Sequence, residues 1–540
     1  MAFWWLLSVI VGLGAAWFGG PLILKALIRH RLQGYRIAYN RVDETKPLRL
    51  EGERRAVAVI GGGVAGLTAA VTLARRGFAV TLFESAGHLG GKLGSWKVQL
   101  TPTETQWVSH GFHAFFPHYL NLNRLLDSLR VRDSFRSIGE YVIVGAKSTV
   151  RFGKLETTPV FNLLSLARAG VFRIGEALKA PGRDLYGLFL EYEHDETFAK
   201  YDLLSFDDFN RVAQVPPRLK LAFSTFARAF FADEDKLSLA ELLKSFHFYY
   251  LGQDGGLVYT YPTSDYEASI LTPFRDELAR CGVDVRLSTP VTELGTGQRF
   301  TVNTEPFDSV VLAPDVVGAR AIVTAANGLD ALKPQFEALR PGQRYAVLRI
   351  WVDKDVRADM PPFVITDRIE ILDAFTAYHR VEKESADWVA RHGGSAAVLE
   401  LHCYAVPDSM SPDDVKATLL REMTRFFPEL TGLTVLHEHF QLHRNFTSFH
   451  VGQYARRPTV ETSVPGLVCA GDWVKLPFPA MLLECAASSG LWAANAIFKS
   501  HGLREELVEG VPLRGLMAGM PQPPGRKQLL GQLVQPKATK

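Results

Sequence analysis

The stretch Ala56-Val57-Ala58-Val59-Ile60-Gly61-Gly62-Gly63-Val64-Ala65-Gly66 decides the fold. Its first five residues are apolar without alternation, the pattern of a strand buried on both faces of a parallel sheet. Glycines follow at 61, 63 and 66. In such a turn the first allows a tight bend, the second lets the backbone approach a pyrophosphate, and the third lets a helix pack close to the strand. Leu67, Ala70, Val71 and Ala74 recur at helical spacing and predict a helix over residues 65–76. Its N-terminus would offer free N–H groups and partial positive charge to phosphates. Gly77 ends the helix, and a second strand over residues 79–83 delivers Glu84 to accept bonds from ribose hydroxyls. The motif alone is weak. With a strand before it, a helix after it and an acid at the right distance, it marks a dinucleotide site at Gly61, Gly63, Val64, Ala65, Gly66 and Glu84.

Further along the chain, three segments argue for FAD rather than NAD. Gly90-Gly91-Lys92 supplies another glycine pair whose amides can reach a cofactor. A strand over residues 283–287 is followed by a turn at Thr289-Pro290 and then Val291. Leu467-Val468-Cys469-Ala470-Gly471-Asp472 is a strand ending in Gly-Asp, and a helix is predicted over residues 481–497.

The length of 540 residues suggests two to four domains and is equally compatible with one interleaved two-domain enzyme, and 47% apolar and 22% charged residues are as in folded globular proteins. A net charge of +3 implies no strong polyanion partner, and no basic stripe supports nucleic acid. The four cysteines are scattered, as buried thiols in a reducing compartment are. Residues 2–24 carry no charge, and as a helix they would span roughly 34 Å, enough for a hydrocarbon core. Trp4, Trp5 and Trp17 suit the interfaces, and Lys25, Arg29, His30 and Arg31 follow. Residues 1–30 therefore read as a membrane anchor with the rest of the chain on the cytoplasmic side. A signal peptide and a buried helix are the alternatives.

The fingerprint, the Gly-Gly-Lys segment and the late Ala-Gly-Asp strand resemble the FAD-dependent amine oxidase and phytoene desaturase superfamily. That resemblance implies cofactor roles for Gly471, Asp472, Met481 and Val291, the last through its backbone toward adenine. Lys92 stands where the superfamily often has Arg, and Trp473 lies in a Pro-rich turn. Residues 110–122 (HGFHAFFPHYLNL) are similar to plant-type carotenoid desaturases. Residues 226–233 (FARAFFAD), 245–252 (SFHFYYLG) and 472–477 (DWVKLP) resemble the carotene desaturase/methyltransferase group, which includes isorenieratene synthase. The resemblance runs from residue 55 to about residue 500. It implies hydride transfer from a long apolar polyene to flavin with proton loss, and in aromatising members migration of a ring methyl. Flavin carries the hard step, and the protein supplies position and electrostatics. Such chemistry asks for an apolar tunnel and access from the lipid bilayer, and a bilayer location suggests a quinone as electron acceptor.

The fold class expected is α/β: a Rossmann-like FAD domain from residues 55–108, 275–325 and 460–502, interleaved with an α+β substrate domain from 109–274 and 326–459. In the latter, strands are predicted over 345–352 and 396–404, and a helix over 413–427 after Ser411-Pro412. Residues 160–183 alternate apolar and basic side chains, as a helix lying on a membrane does, or one packed on the core. The tail, residues 503–540, reads as partly disordered, being disordered or only loosely docked from Pro521 onward.

Candidate catalytic residues are Glu484, one turn into the late helix, and His110 and His113, three apart and able to share a helix face. Structural roles compete for all three, and no metal set is complete around His118. Asp265 and Tyr266 are candidates for the substrate path. Phe115, Phe116, Phe230, Phe231, Phe248, Tyr249 and Tyr250 are candidates for a tunnel lining or plain core. The leading function is a membrane-associated FAD oxidoreductase desaturating a carotenoid or related polyisoprenoid. An amine oxidase-like enzyme of a smaller substrate and a non-catalytic, pigment-binding flavoprotein are the alternatives.

Overall fold

The computed structural model describes residues 20–145, 149–152, 156–256 and 258–534. The expected membrane segment lies outside them as far as residue 19. The first described element is a helix, Gly20–Arg31, whose charged second half cannot lie in hydrocarbon. Among the described residues no helix is long and apolar enough to cross a membrane.

The fingerprint strand Ala56–Ile60 lies in the middle of a five-stranded parallel sheet. Ala79–Phe83 and Asp284–Arg286 lie to one side, and Ser309–Leu312 and Leu467–Cys469 to the other. The strand order therefore switches direction at the fingerprint, and a ligand belongs at the carboxyl ends of these strands. Two helices converge on that edge, Val64–Arg75 and Leu482–Ser500. They touch at Gly490, where a β-carbon would stand 2.2 Å from the Ala65 carbonyl oxygen.

A second, seven-stranded sheet runs in the order Val435–His443, Arg344–Val352, Ala397–Val406, Ala374–Ala377, Phe363–Thr366, Tyr141–Val144, Thr149–Phe152. Alternation along its strands gives it two faces. Ala346, Leu348, Ile350, Leu399, Leu401 and Cys403 pack under helix Pro412–Phe426, opened by a capping box on Ser411. The opposite face carries Tyr345, Val347, His402 and Tyr404 and borders a cavity. Glu422, on that helix, is buried and accepts four backbone N–H bonds of 2.7–2.8 Å from Ile369, Glu370, Ile371 and Leu372. It thereby closes the loop beside the cavity-lining Asp373.

Two expectations change. The basic amphipathic stretch is not one helix. It is Phe161–Arg168 and Ile174–Lys179, interrupted at Gly170 with φ +84°. Its apolar side chains, including Leu163, Leu166, Phe172 and Leu178, line the cavity rather than a continuous outer face. The tail is also more ordered than its composition suggests. Glu509–Gly510 pairs with Ile37–Ala38, and Arg526–Val534 is a docked helix. The fully buried Arg526 pairs with Glu191 and donates to the Asp184 carbonyl at 2.8 Å. The Arg526–Glu191 pair and a short apolar face, Leu533 with Leu529 and Leu530, hold the helix against the core.

Burial pushes the Glu191 carboxyl up, and Arg526 opposes that shift. Arg526→Met leaves Glu191 without its cation and is expected to cost about 3 kcal/mol of stability in denaturant titration. A change within experimental error would show that the Arg526–Glu191 pair contributes no net docking energy.

Candidate active site

The cradle is built by close approach. Gly61 takes φ +105°, and a β-carbon there would meet the Ala313 carbonyl oxygen at 2.5 Å. At Gly66 it would meet the Gly61 carbonyl oxygen at 1.9 Å. Gly63 differs: the nearest atom to its β-carbon would be Gly91 Cα at 3.8 Å, so the space before the helix is open. Gly63 caps helix Val64–Arg75 with no side-chain acceptor, which leaves the first-turn N–H groups for a phosphate. Gly90, at φ +104°, bridges to Gly63 and donates its N–H to the Gly62 carbonyl at 2.8 Å. The Glu84 carboxylate accepts from Gly62 N–H (2.7 Å), Ala86 N–H (2.7 Å) and the Ser85 hydroxyl (3.1 Å). Each oxygen has further lone-pair capacity for a ribose.

Across the cradle, Gly471 donates its N–H to Ser489 Oγ at 2.8 Å. Asp472 accepts from the Thr447 hydroxyl at 2.7 Å and pairs with Lys92 at 3.2 Å. Lys92 Nζ stands 4.4 Å from the centroid of Phe446. Val64, Ala65, Gly91, Lys92, Gly471 and Asp472 all border one cavity. Three expected cofactor residues do not. Gly66 is buried against the Gly61 carbonyl, where it lets the helix pack on the strand. Val291 is half-buried beside the sheet. Met481 is buried with its sulfur 3.9 Å from Ser245 Oγ, and Leu482, Leu483 and Ala486 face the cavity instead. Leu482 has φ +48°, which turns the start of the late helix by one position relative to the expectation. The uncapped helix, the open space at Gly63 and the acceptors at Glu84 and Asp472 fit a flavin dinucleotide.

The cavity holds about 910 Å³ and continues from the cradle into an apolar arm lined by Leu163, Phe172, Phe189, Phe223 and Phe246. Phe116, Phe230, Phe231, Tyr249 and Tyr250 also line it, whereas Phe115 and Phe248 are core. Asp265 is not on the wall. Tyr266 acts behind it, its oxygen accepting the His113 N–H at 2.8 Å.

His110 and His113 both border the cavity, but from a loop rather than a helix face. His110 Nδ1 is buried without a partner, and burial, with His443 beside it, pushes its ring down to about 3. His113 donates from Nδ1 to the Gly111 carbonyl at 2.8 Å and is pushed down to about 4 by burial. Glu484 has another task. It lies outside the cavity lining and caps helix Leu120–Ser128, accepting from Asn121 N–H (2.9 Å), Leu122 N–H (3.0 Å), Asn121 Nδ2 (2.9 Å) and Ser488 Oγ (3.2 Å). Burial pushes its carboxyl up to about 7.

Sequence reasoning passed over a buried group on the cavity face of the second sheet. Strand register sets Arg349 opposite Glu400. Glu400 Oε2 accepts from Arg349 at 2.8 and 2.7 Å, and Oε1 accepts the Phe112 N–H at 3.1 Å and lies 3.2 Å from His402 Nε2. Burial opposes charge on Glu400, but Arg349 overrides it and holds the carboxyl down at about 2. The available signal was charge inside otherwise apolar strands: Leu348-Arg349-Ile350 and Leu399-Glu400-Leu401-His402.

Gly66→Ala is expected to abolish flavin loading, read as loss of visible absorbance in a chain that still folds. Glu484 has a folded value raised from 4.5 to about 7, so its contribution is fully present below pH 4.5 and lost as pH rises through about 7. Melting temperatures across that window should fall in the native chain and stay flatter in Glu484→Gln. Removing the cap altogether in Glu484→Ala should cost about 1–3 kcal/mol through unpaired N–H groups.

The family of flavin-containing amine oxidoreductases matches residues 64–498. A carotenoid phi-ring synthase of Streptomyces griseus is 35% identical over 482 residues, covering 87% of this chain and 93% of that protein. A 15-cis-phytoene desaturase of Solanum lycopersicum is 22% identical over 500 residues, covering 85% of this chain and 79% of that one. The cyclohexylamine oxidase of Brevibacterium oxydans shares the fold, with a TM-score of 0.59 at 15% identity over 83% of this chain and 100% of its own. The chain belongs to the flavin-containing amine oxidoreductase family, in its carotenoid desaturase group, and is an FAD-dependent oxidoreductase.

Proposed function

We propose that the chain is a membrane-associated enzyme that desaturates a carotenoid by hydride transfer to FAD, and that its target is a cyclic end group. The observation that carries this reading is the continuous cavity joining the dinucleotide cradle to a long arm of aliphatic and aromatic side chains. A small amine would leave that arm empty. The phi-ring synthase relative favours an end ring as the part remade.

FAD supplies the two-electron acceptor. The chain's own residues do the rest. Phe231 stacks on Phe446 at 3.7 Å between centroids, with Tyr345 and Tyr404 at 5.5 and 5.6 Å. These rings line the cavity beside the cradle, and in this reading their π electrons would favour positive charge developing as hydride leaves a polyene. Neutral His110 and His113 add polarity beside the cradle without adding cations.

Two features support membrane association. The charge-free residues 2–24 lead into helix Gly20–Arg31, whose Leu22, Ile23 and Leu27 are exposed. Its other face packs Leu24 and Ile28 in a cluster with Val160 and Phe161, and Lys25 pairs with Glu156 at 2.9 Å. Val160 is itself a cavity wall, so helix Gly20–Arg31 adjoins the apolar arm. In this reading the catalytic domain lies on the cytoplasmic side, the substrate leaves the bilayer beside Val160, and a membrane quinone reoxidises the flavin.

Expression in cells accumulating linear or cyclic carotenoids, followed by chromatography of the pigments, tests the substrate. A product with a new absorption spectrum is expected from the cyclic class, and unchanged pigments across both classes would overturn the proposal. Deleting residues 1–19 should shift the chain from the membrane pellet toward the supernatant. An unchanged distribution would remove the anchor.

A further inference from the structure

Desaturation breaks two C–H bonds, and only one hydrogen leaves as hydride. The other leaves as a proton and needs an acceptor inside an apolar cavity. Among the described residues five histidines border that cavity: His88, His110, His113, His402 and His443. Among the described residues neither His110 nor His113 hydrogen-bonds a carboxylate through its ring; Glu400 acts on His113 only through its charge, and burial holds both rings far below the ordinary range, as it lowers His443. His402 differs in its partner. Its Nε2 faces Glu400 Oε1 at 3.2 Å, with the Thr376 hydroxyl at 3.4 Å. Glu400 is in turn locked by both Arg349 bonds and the Phe112 N–H. A carboxylate on one ring nitrogen sets the tautomer and leaves the other nitrogen as the acceptor, the logic of base and orienting acid. Nδ1 of His402 makes no hydrogen bond among the described residues, and the ring lines the cavity. Gly111, at φ +110°, allows this seating, since a β-carbon there would stand 3.0 Å from His402 Cε1.

We propose that His402 is the proton acceptor of the reaction, with Glu400 and Arg349 as positioning residues. This rests on the carotenoid reading above. One C–H bond of the substrate breaks and its hydrogen leaves with both electrons, as hydride, to FAD. On the neighbouring carbon a second C–H bond breaks. Its proton goes to His402 Nδ1, and its electron pair becomes the new C=C bond. Glu400 stabilises the resulting imidazolium until the proton returns to solvent. Among the described residues the other charged or titratable groups near the ring include Arg349 across the sheet, His113 on the adjoining loop, Asp373, whose N–H donates to the His402 carbonyl at 2.8 Å, and Tyr404, whose ring centroid is 5.9 Å away.

The test is anaerobic mixing of the flavin-loaded full chain with a cyclic carotenoid, following loss of flavin colour. His402→Ala is expected to slow bleaching about a hundredfold or more, with flavin content unchanged. Added imidazole should restore part of the rate. Glu400→Gln should slow bleaching less and should scramble the His402 tautomer in nitrogen-labelled histidine spectra, which show one Nε2–H form in the native chain. If His402→Ala loses its flavin, His402→Asn replaces it in the comparison. Native bleaching in either variant overturns the proposal and leaves the carotenoid reading intact. Slow bleaching that imidazole does not relieve assigns His402 a structural role only and also overturns it. A native chain that no carotenoid bleaches overturns both.

Discussion

The constraint on which this molecule depends is the near-contact of backbones around the fingerprint. Gly66 lies against the Gly61 carbonyl, and Gly490 against the Ala65 carbonyl, at separations no side chain allows. These approaches bring the starts of two helices to the carboxyl edge of one parallel sheet. One is uncapped by any side chain, and the other begins with a left-handed Leu482. The cavity exists because those two helix starts converge without meeting. Everything the enzyme does with a cofactor depends on that gap.

The second sheet completes the site from the other side, and it does so by alternation. One face is apolar and lies under helix Pro412–Phe426, while the other carries Arg349, Glu400, His402 and Tyr404. Buried charges of this kind are expensive unless paired and hydrogen-bonded. Here each oxygen of Glu400 has two partners, so the network is satisfied and rigid. Breaking one side of it would strand a buried charge.

The polar groups divide by whether the cavity reaches them. Glu484 has a raised carboxyl in the late helix, yet its oxygens are spent on the N-terminus of Leu120–Ser128. His118 is buried among aromatic rings away from the wall. A shifted titration alone therefore singles out core groups as readily as site groups in this protein. Position on the cavity wall separates them.

The local signals were sufficient for the nucleotide half. Glycine spacing, an apolar strand and a downstream acid are short-range requirements, and the chain writes them within thirty residues of one another, from Ala56 to Glu84. The same holds for strands 344–352 and 397–406 and the capped helix after Ser411, whose periodicities are visible without any partner. Sequence could not distinguish Glu484 the cap from Glu484 the catalyst, because Asn121 and Leu122 lie over three hundred and sixty positions away. Nor could it pair Arg349 with Glu400, since a strand shows its alternation but not its register. Arg526 found its buried partner at Glu191 for the same reason: that outcome is set by what packs against the segment. The break at Gly170 is local, a left-handed glycine with open space around its β-carbon position. The chain by itself determined that a dinucleotide lies at Gly61 to Gly66. Only the tertiary structure decided which histidine faces the cavity with a carboxylate behind it, because that depends on register between distant strands.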